Sequence, residues 1–327
     1  MWLPGGGEWY AGNLYPVIAR FLSGLSGCFP FSLSDCFIYG SIAGLLLYAV
    51  VRIVRRKPLV KTGLNLLEYL VCTYLFFYFA WGLNYSRDGF YERSGYRSAS
   101  FSEEQFLNFL QDYTEALNAS YTPVTETVDY SSVAGEVKNG YRKLDARFCL
   151  LGVDGRGSPK PMLFPRLMSG VGVLGYVGAF FNEYHINPML LPQQVPFTYA
   201  HEMAHVLGVS GEGEANFYAF LVCSASENRF VRFSGYYSLL PYVASSVLRL
   251  LGEESFARWK ESLLPEIRTL YAAERDYWAS LYYPSVGKMQ NAIYHWFLKS
   301  NRVEGGTKNY SEVVGMLISH FQTEQAG

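Results

Sequence analysis

The chain has 327 residues, with 27 Lys and Arg against 28 Asp and Glu; half of it is apolar, and it carries 27 Tyr and 23 Phe. That supplies a large core, while the near-zero net charge and the lack of a long basic block exclude a nucleic-acid surface, and no glycine loop of nucleotide-binding type occurs. Five cysteines (Cys28, Cys36, Cys72, Cys149, Cys223), odd in number and without C-x-x-C spacing, argue against a disulfide framework; Cys28 and Cys36 could pair, but two buried thiols are the favoured reading.

Met1 to Gly7 lacks the charged and apolar regions of a cleavable signal. Tyr15 to Leu25 is mildly amphipathic around Arg20, which predicts a helix lying at an interface. Cys36 to Val51 carries no charge and, extended to Leu33 and Val54, approaches the roughly 20 residues needed to span a bilayer. Arg52, Arg55, Arg56, Lys57 and Lys61 follow, then a second apolar run from Leu64 to Leu83. Two apolar helices around a cationic loop predict a membrane hairpin with that loop in the cytoplasm, which puts everything after Asn84 outside. Trp81 and Tyr85 fall where an aromatic belt is expected, and Glu68, one turn inside the cationic end, is expected to snorkel or pair with Lys61. Residues 1–86 are therefore read as a membrane anchor and 87–327 as an extracytoplasmic domain.

Ser102 and Gln105 form a capping-box pattern opening a helix to about Leu117, with Phe106, Leu107, Phe109 and Leu110 on its apolar side. A further helix is expected over Ala134 to Phe148. The uncharged, glycine-spaced stretch Leu167 to Phe181 reads as a bent hairpin, or as a third membrane element. In the favoured reading Tyr176 to Asn187 forms an edge strand beside the active-site helix. Phe230 to Leu251, broken by Pro241, reads as a core helix, Glu254 to Trp278 as an amphipathic helix interrupted near Pro265, and Ala292 to Leu298 and Tyr310 to Phe321 as the last helices.

The chemistry lies in His201-Glu202-Met203-Ala204-His205. On a helix, residues i and i+4 leave the same face, so both imidazoles can reach one tetrahedral metal with Glu202 beside the fourth position. Zinc held by two imidazoles and a carboxylate brings the pKa of bound water towards about 7, and Glu202 can take its proton as general base. Pro196 and Thr198 suit the start of this helix, expected over Phe197 to Leu207, and Gly208 suits its left-handed end. A bend through Gly211 would start a second helix at about Glu212 and return a third ligand to the metal. Glu212 and Glu214 point about 200° apart on one helix, so only one can face it. Glu212 shares its face with Asn216, which could orient a ligand; it is the favoured third ligand, with Glu214 as the alternative. Tyr184, His185 and Tyr199 are candidate substrate or oxyanion contacts.

The segment Glu212-Gly213-Glu214-Ala215-Asn216 resembles the E-x-x-A/C-D/N pattern that carries the third ligand in gluzincins. Together with Trp81-Gly82-Leu83-Asn84-Tyr85, Pro196-Phe197, the HExxH helix and Phe297-Leu298-Lys299-Ser300-Asn301, the chain from about Tyr10 to His320 resembles an uncharacterised family of bacterial membrane-anchored proteins of zinc-peptidase character. The resemblance implies an anchored metallopeptidase-like domain in the bacterial envelope, at the inner membrane. The expected fold is mainly α: two transmembrane helices and a mostly helical α+β zincin-like domain. The expected function is zinc-dependent hydrolysis of peptide bonds in a peptide or protein substrate, with a catalytically silent zinc-binding sensor or assembly protein as the alternative.

Overall fold

The computed structural model describes residues 5–96, 101–124, 127–144, 148–154, 157–284 and 309–326. The chain is mainly helical. A helical segment from Gly6 passes through a π turn at Tyr10–Leu14 into α1 (Tyr15–Gly27), with Pro16 in its first turn. Tyr15, Ile18, Ala19 and Leu22 form its buried face, packed with Ala80, Trp81 and Ala179. The opposite face leaves Val17, Phe21 and Leu25 exposed. A helix apolar on two sides has one side docked on the protein and one unpartnered by it.

Two helices that follow, α2 (Leu33–Val54) and α3 (Leu59–Ala80), are long and apolar enough to cross a membrane. Their most apolar windows are 0 % and 6 % buried, so beyond the ends that meet the body most of their surface is uncovered. The α2 N-terminus is capped by Ser32, whose Oγ accepts from the Asp35 amide at 2.9 Å, satisfying one of the amides a helix start leaves unpaired. The turn 55–58 joins the two helices, and Arg52 Nε donates to Thr62 Oγ1 across it at 3.0 Å. Asn65 and Tyr48, and Ser41 and Tyr69, pair between the helices along their length. Glu68 makes no ion pair with Lys61 among the described residues. It lines a cavity of about 800 Å³ between α2 and α3, with Gly40 and Gly44 opposite. Cys28 and Cys36 are exposed rather than buried, because one lies just past the end of α1 and the other on an open side of α2.

The capping box forms as expected: Ser102 Oγ accepts from the Gln105 amide and Gln105 Oε1 from the Ser102 amide, opening α4 (Glu103–Ser120). Phe106, Phe109 and Leu110 are buried but Leu107 is exposed, since it points off the stripe that meets the core. The next helix, α5 (Tyr130–Lys143), starts earlier than Ala134 because Asp129 caps it through the amides of Ser131 and Ser132. The glycine-spaced stretch supplies a short helix (Pro165–Gly170) and only β1 (Gly175–Gly178) of an antiparallel hairpin; Tyr176 to Asn187 is not one strand, because the chain turns back after Gly178 into β2 (Glu183–Ile186), with Tyr176 opposite His185 and Val177 opposite Tyr184. Beyond it run α6 (Val195–Val206), α7 (Glu212–Ser224), α8 (Arg229–Ser238), α9 (Leu240–Ser262, kinked at Gly252), α10 (Pro265–Leu281) and α11 (Asn309–Ala326). The expected helix over Ala292 to Leu298, and Phe297 to Asn301, lie outside the described residues.

The core of the body is continuous. It is rich in rings, among them Phe106, Tyr113, Phe217, Tyr218, Phe233 and Tyr237, all nearly inaccessible. Burying each such side chain contributes about 1.5–3 kcal/mol, enough in aggregate to hold α6 inside. α6 is enclosed by α5, α7, α8 and the hairpin. This explains why nearly all of its residues are buried.

The two faces of the hairpin have different partners. Gly175 faces Glu202 of α6, and Tyr184 bonds Tyr199 of α6, so the Gly175/Val177 face lies on that helix. The other face, with Tyr176, Gly178 and His185, meets the start of α2. Tyr176 donates to Asp35, and Ser34 Oγ donates to Gly178 O. The carbonyl of Tyr184 points away from β1, because it accepts from Lys160 N at 2.8 Å. The alternation of an antiparallel ladder then turns the N–H and C=O of Gly175 and Val177 to the outer edge of β1.

Candidate metal centre

Pro196 stands in the first turn of α6, where a missing amide hydrogen costs nothing. Thr198 is not its cap: the helix continues directly from a 3₁₀ turn at Pro192–Gln194 and starts at Val195, which leaves Thr198 inside it and buried. Gly208, at φ +95°, ends the helix in the left-handed conformation expected of it. The reversal brings the Val209 carbonyl back to His205 Nδ1 at 2.8 Å. A carbonyl only accepts, so Nδ1 carries the proton and Nε2 presents its lone pair. His201 Nδ1 meets Asn216 Oδ1 at 2.9 Å and is fixed in the same sense, while Asn216 Nδ2 donates to Tyr242 OH at 3.0 Å.

Both Nε2 atoms therefore point inwards, 3.1 Å apart. Glu212, the first residue of α7, places Oε2 3.2 Å from His201 Nε2 and 3.7 Å from His205 Nε2. One ligand atom from each of the three residues lies within 4.8 Å of the others. Two imidazole lone pairs and a carboxylate converging on one point repel each other unless a cation or proton sits between them. Two nitrogens and an oxygen are a donor set that suits zinc, so the residues present fit that ion.

Glu214 goes elsewhere. It forms a buried ion pair with Arg93 and accepts from Tyr218 OH at 2.9 Å. The 200° divergence between the two glutamates thus gives one to the imidazoles and the other to the core.

Glu202 is 4 % exposed, and its Oε2 has no hydrogen-bond partner among the described residues. A Cβ on Gly175 would come within 2.5 Å of its Oε1 and 2.6 Å of its Cγ, so β1 can cross this carboxylate only because residue 175 is glycine. Burial pushes the Glu202 pKa up to about 7, against the lowering influence of His201 and His205. Burial disfavours charge on His205, but the hydrogen bond and charge of Glu212 outweigh it and raise its pKa to about 9. With protons in place of a cation, burial likewise opposes ionisation of Glu212, yet hydrogen bonds from the protonated imidazoles hold it well below the usual carboxylate range. The site opens to solvent on this side, where the Glu212 side chain is 35 % exposed.

Three further candidates stand apart from the cluster. Tyr184 and Tyr199 are buried and bonded to each other at 2.8 Å, with the Tyr184 hydroxyl also reaching Gly157 O. His185 is on the opposite face of the hairpin, stacked on Tyr176 at 4.1 Å, with its Nε2 buried and without a partner among the described residues. Two tyrosines are instead near the site, Tyr242, which the sequence did not mark, and Tyr85, which it marked only for an aromatic belt. Tyr242 supports Asn216, and Tyr85 sits close enough to Glu212 for that carboxylate, after burial, to help raise its pKa.

The first residues of the chain hold the end of α6. A helix leaves its last carbonyls without partners. Here Trp81 Nε1 donates to His205 O at 3.0 Å, Tyr15 OH to Val206 O at 2.9 Å, and Arg87 Nη1 to Gly208 O at 3.3 Å. Trp81 is 3 % exposed, which removes it from the aromatic belt in which its position placed it.

The chain belongs to the family described as "Protein of unknown function (DUF3810)", which matches residues 10–318. No curated protein and no solved structure matches it.

Proposed function

We propose that this member of a family of unknown function is a membrane-anchored, zinc-dependent peptidase with a zincin-like (gluzincin) centre. The observation that carries the reading is the convergence of His201, His205 and Glu212 beside a buried carboxylate, Glu202, that has an unpartnered oxygen. Zinc bound there would activate water and polarise a scissile carbonyl.

The chain's own residues divide the remaining work. Asn216 and the Val209 carbonyl orient the imidazoles. Glu202 takes a proton as general base and passes it to the leaving amine. Tyr85, whose pKa is raised by burial and then by the charge of Glu212, is a candidate donor to a developing oxyanion. The outer edge of β1, where the amides and carbonyls of Gly175 and Val177 are unpaired among the described residues, can pair with an extended peptide crossing Glu202. The two apolar helices would cross the bacterial inner membrane with the cationic turn 55–58 inside and the metal centre outside.

Burial of Glu202 beneath Gly175 favours a second reading, a silent zinc site in a membrane-tethered sensor or assembly protein. One experiment separates the two: zinc content and mass-spectrometric detection of cleavage in a randomised peptide pool, for wild type, Glu202→Gln and His205→Ala. A peptidase gives Glu202→Gln with zinc retained and turnover reduced by about 10²–10⁴-fold, and His205→Ala without either. Zinc in wild type with no Glu202-dependent cleavage establishes the silent site, and equal zinc loss in both variants contradicts the base role.

A further inference from the structure

The metal centre is joined to the two apolar helices without any spacer. α3 ends at Ala80, and the next residue, Trp81, donates its indole N–H to the carbonyl of the ligand His205. At the start of α2 the Glu183 carboxylate accepts from the amides of Leu33 and Ser34 and from Ser32 Oγ, at 2.8–3.1 Å. Asp35, in the same turn, accepts from Tyr176 OH at 2.8 Å and from Leu163 N at 3.1 Å. Both strands of the hairpin are thereby clamped to the end of a span. Its tip goes further in: Phe180 and Phe181 pack among Phe37 of α2 and Phe76 of α3, with ring centroids 4.7–6.2 Å apart.

Around this junction the body shows lipid-compatible surface. Val17, Phe21 and Leu25 on α1, Phe29 and Phe31 before α2, and Phe164 against Tyr39 of α2 are all exposed large hydrophobics. Side chains of this kind, continuous with two spans, belong in the interfacial layer of the same bilayer. The edge of β1 that is unpaired among the described residues then leads from the Glu202 carboxylate, at Gly175, to the start of α2, at Gly178, next to the membrane surface. A folded soluble protein would have to bring a strand in between the body and the lipid. A polypeptide already held in that membrane is delivered to the same level.

Resting on the peptidase reading above, we propose that the substrates are membrane-tethered polypeptides, cut in the segment that leaves the bilayer on the side of the metal centre. Tethering replaces a bulk concentration by an effective one in the millimolar range, so the preference over an untethered copy of the same segment at micromolar concentration is about 100-fold or more.

The test uses the full-length, zinc-loaded protein in liposomes. The probe is a randomised peptide segment fused to a synthetic poly-leucine span and co-reconstituted, compared with the same segment lacking the span and added at equal bulk concentration. The expected result is at least about 100-fold faster cleavage of the tethered pool, with cuts clustered at one distance from the span and absent with Glu202→Gln. Comparable cleavage of the soluble pool, or cuts spread evenly along the tethered segment, overturns the substrate class and leaves the peptidase standing. Zinc-loaded protein that cuts neither pool overturns both.

Discussion

Replacing Glu214 and Glu212 one at a time tests how the structure divides two neighbouring carboxylates. Glu214→Ala removes the partner of an Arg93 guanidinium that is 6 % exposed and takes an acceptor from Tyr218. Breaking a buried pair from one side costs about 3–5 kcal/mol. Arg93 keeps Glu8 at 3.6 Å and the Phe148 carbonyl at 3.4 Å, so the lower end applies, about 3 kcal/mol. At about 2–4 °C per kcal/mol for a body of this size, the midpoint of thermal unfolding falls by roughly 6–12 °C. The Glu212 side chain is 35 % exposed, and the metal-free protein loses at most about 1 kcal/mol without it. Metal content per chain and the melting of chelated protein, both in detergent, read the two effects apart, because chelation removes the metal's own contribution to stability. Glu214→Ala should keep about one zinc per chain and melt early; Glu212→Ala should lose the zinc and melt, once chelated, close to wild type. A Glu214→Ala protein that loses zinc at unchanged chelated stability, beside a Glu212→Ala protein that keeps it, refutes the assignment.

Asn216→Ala frees the His201 ring and should weaken zinc binding by about 10–100-fold in a chelator competition; unchanged affinity would show that Asn216 does not orient the ligand. Gly175→Ala pushes a methyl into Glu202, so turnover should fall about 100-fold with zinc content unchanged; wild-type turnover would mean that β1 does not constrain the base. His185, lowered in pKa chiefly by burial, is neutral in the fold and faces Asp35, Glu183, Lys160 and Tyr176. A histidine with a depressed folded pKa contributes stability that is present above its unfolded value of about 6.5 and lost as pH falls below it. His185→Phe, which keeps a ring on Tyr176, should therefore flatten the loss of melting temperature between about pH 6.5 and 5; an acid limb as steep as wild type would place the titration elsewhere.

What was legible in the sequence was local. The uncharged runs around Arg52 to Lys61 gave both long helices, and the i, i+4 spacing with Gly208 behind it gave the His201/His205 face and its end. The choice between Glu212 and Glu214 could be framed from helix geometry, but only a distant partner decides it. Arg93 lies 121 residues before Glu214 in the chain. Gly175 was one glycine among several in its stretch, and nothing nearby marks it as the one that lies against Glu202. Thr198 misled for the converse reason: a good capping residue near a helix start carries no signal that the chain is already turning at Pro192.

The division at residue 86 is where composition changes, but the physical links run across it. The carbonyls that end α6 are satisfied by Tyr15, Trp81 and Arg87, and Gly7 packs so closely on the Ser86 backbone that a Cβ there would lie 1.9 Å from the Ser86 carbonyl oxygen. A helix whose final turn is completed by side chains from the membrane-proximal segments has part of its hydrogen bonding supplied from outside the body. Cutting the chain at 86 would leave the His205 and Val206 carbonyls without those donors and expose the apolar surface that α1 covers. Each buried polar group left unmatched costs about 1–3 kcal/mol. A truncated body should therefore bind zinc more weakly than the full chain, even though residues 87–327 contain every proposed ligand. Equal zinc affinity in the two would show that the anchor positions the centre at the membrane without helping to form it.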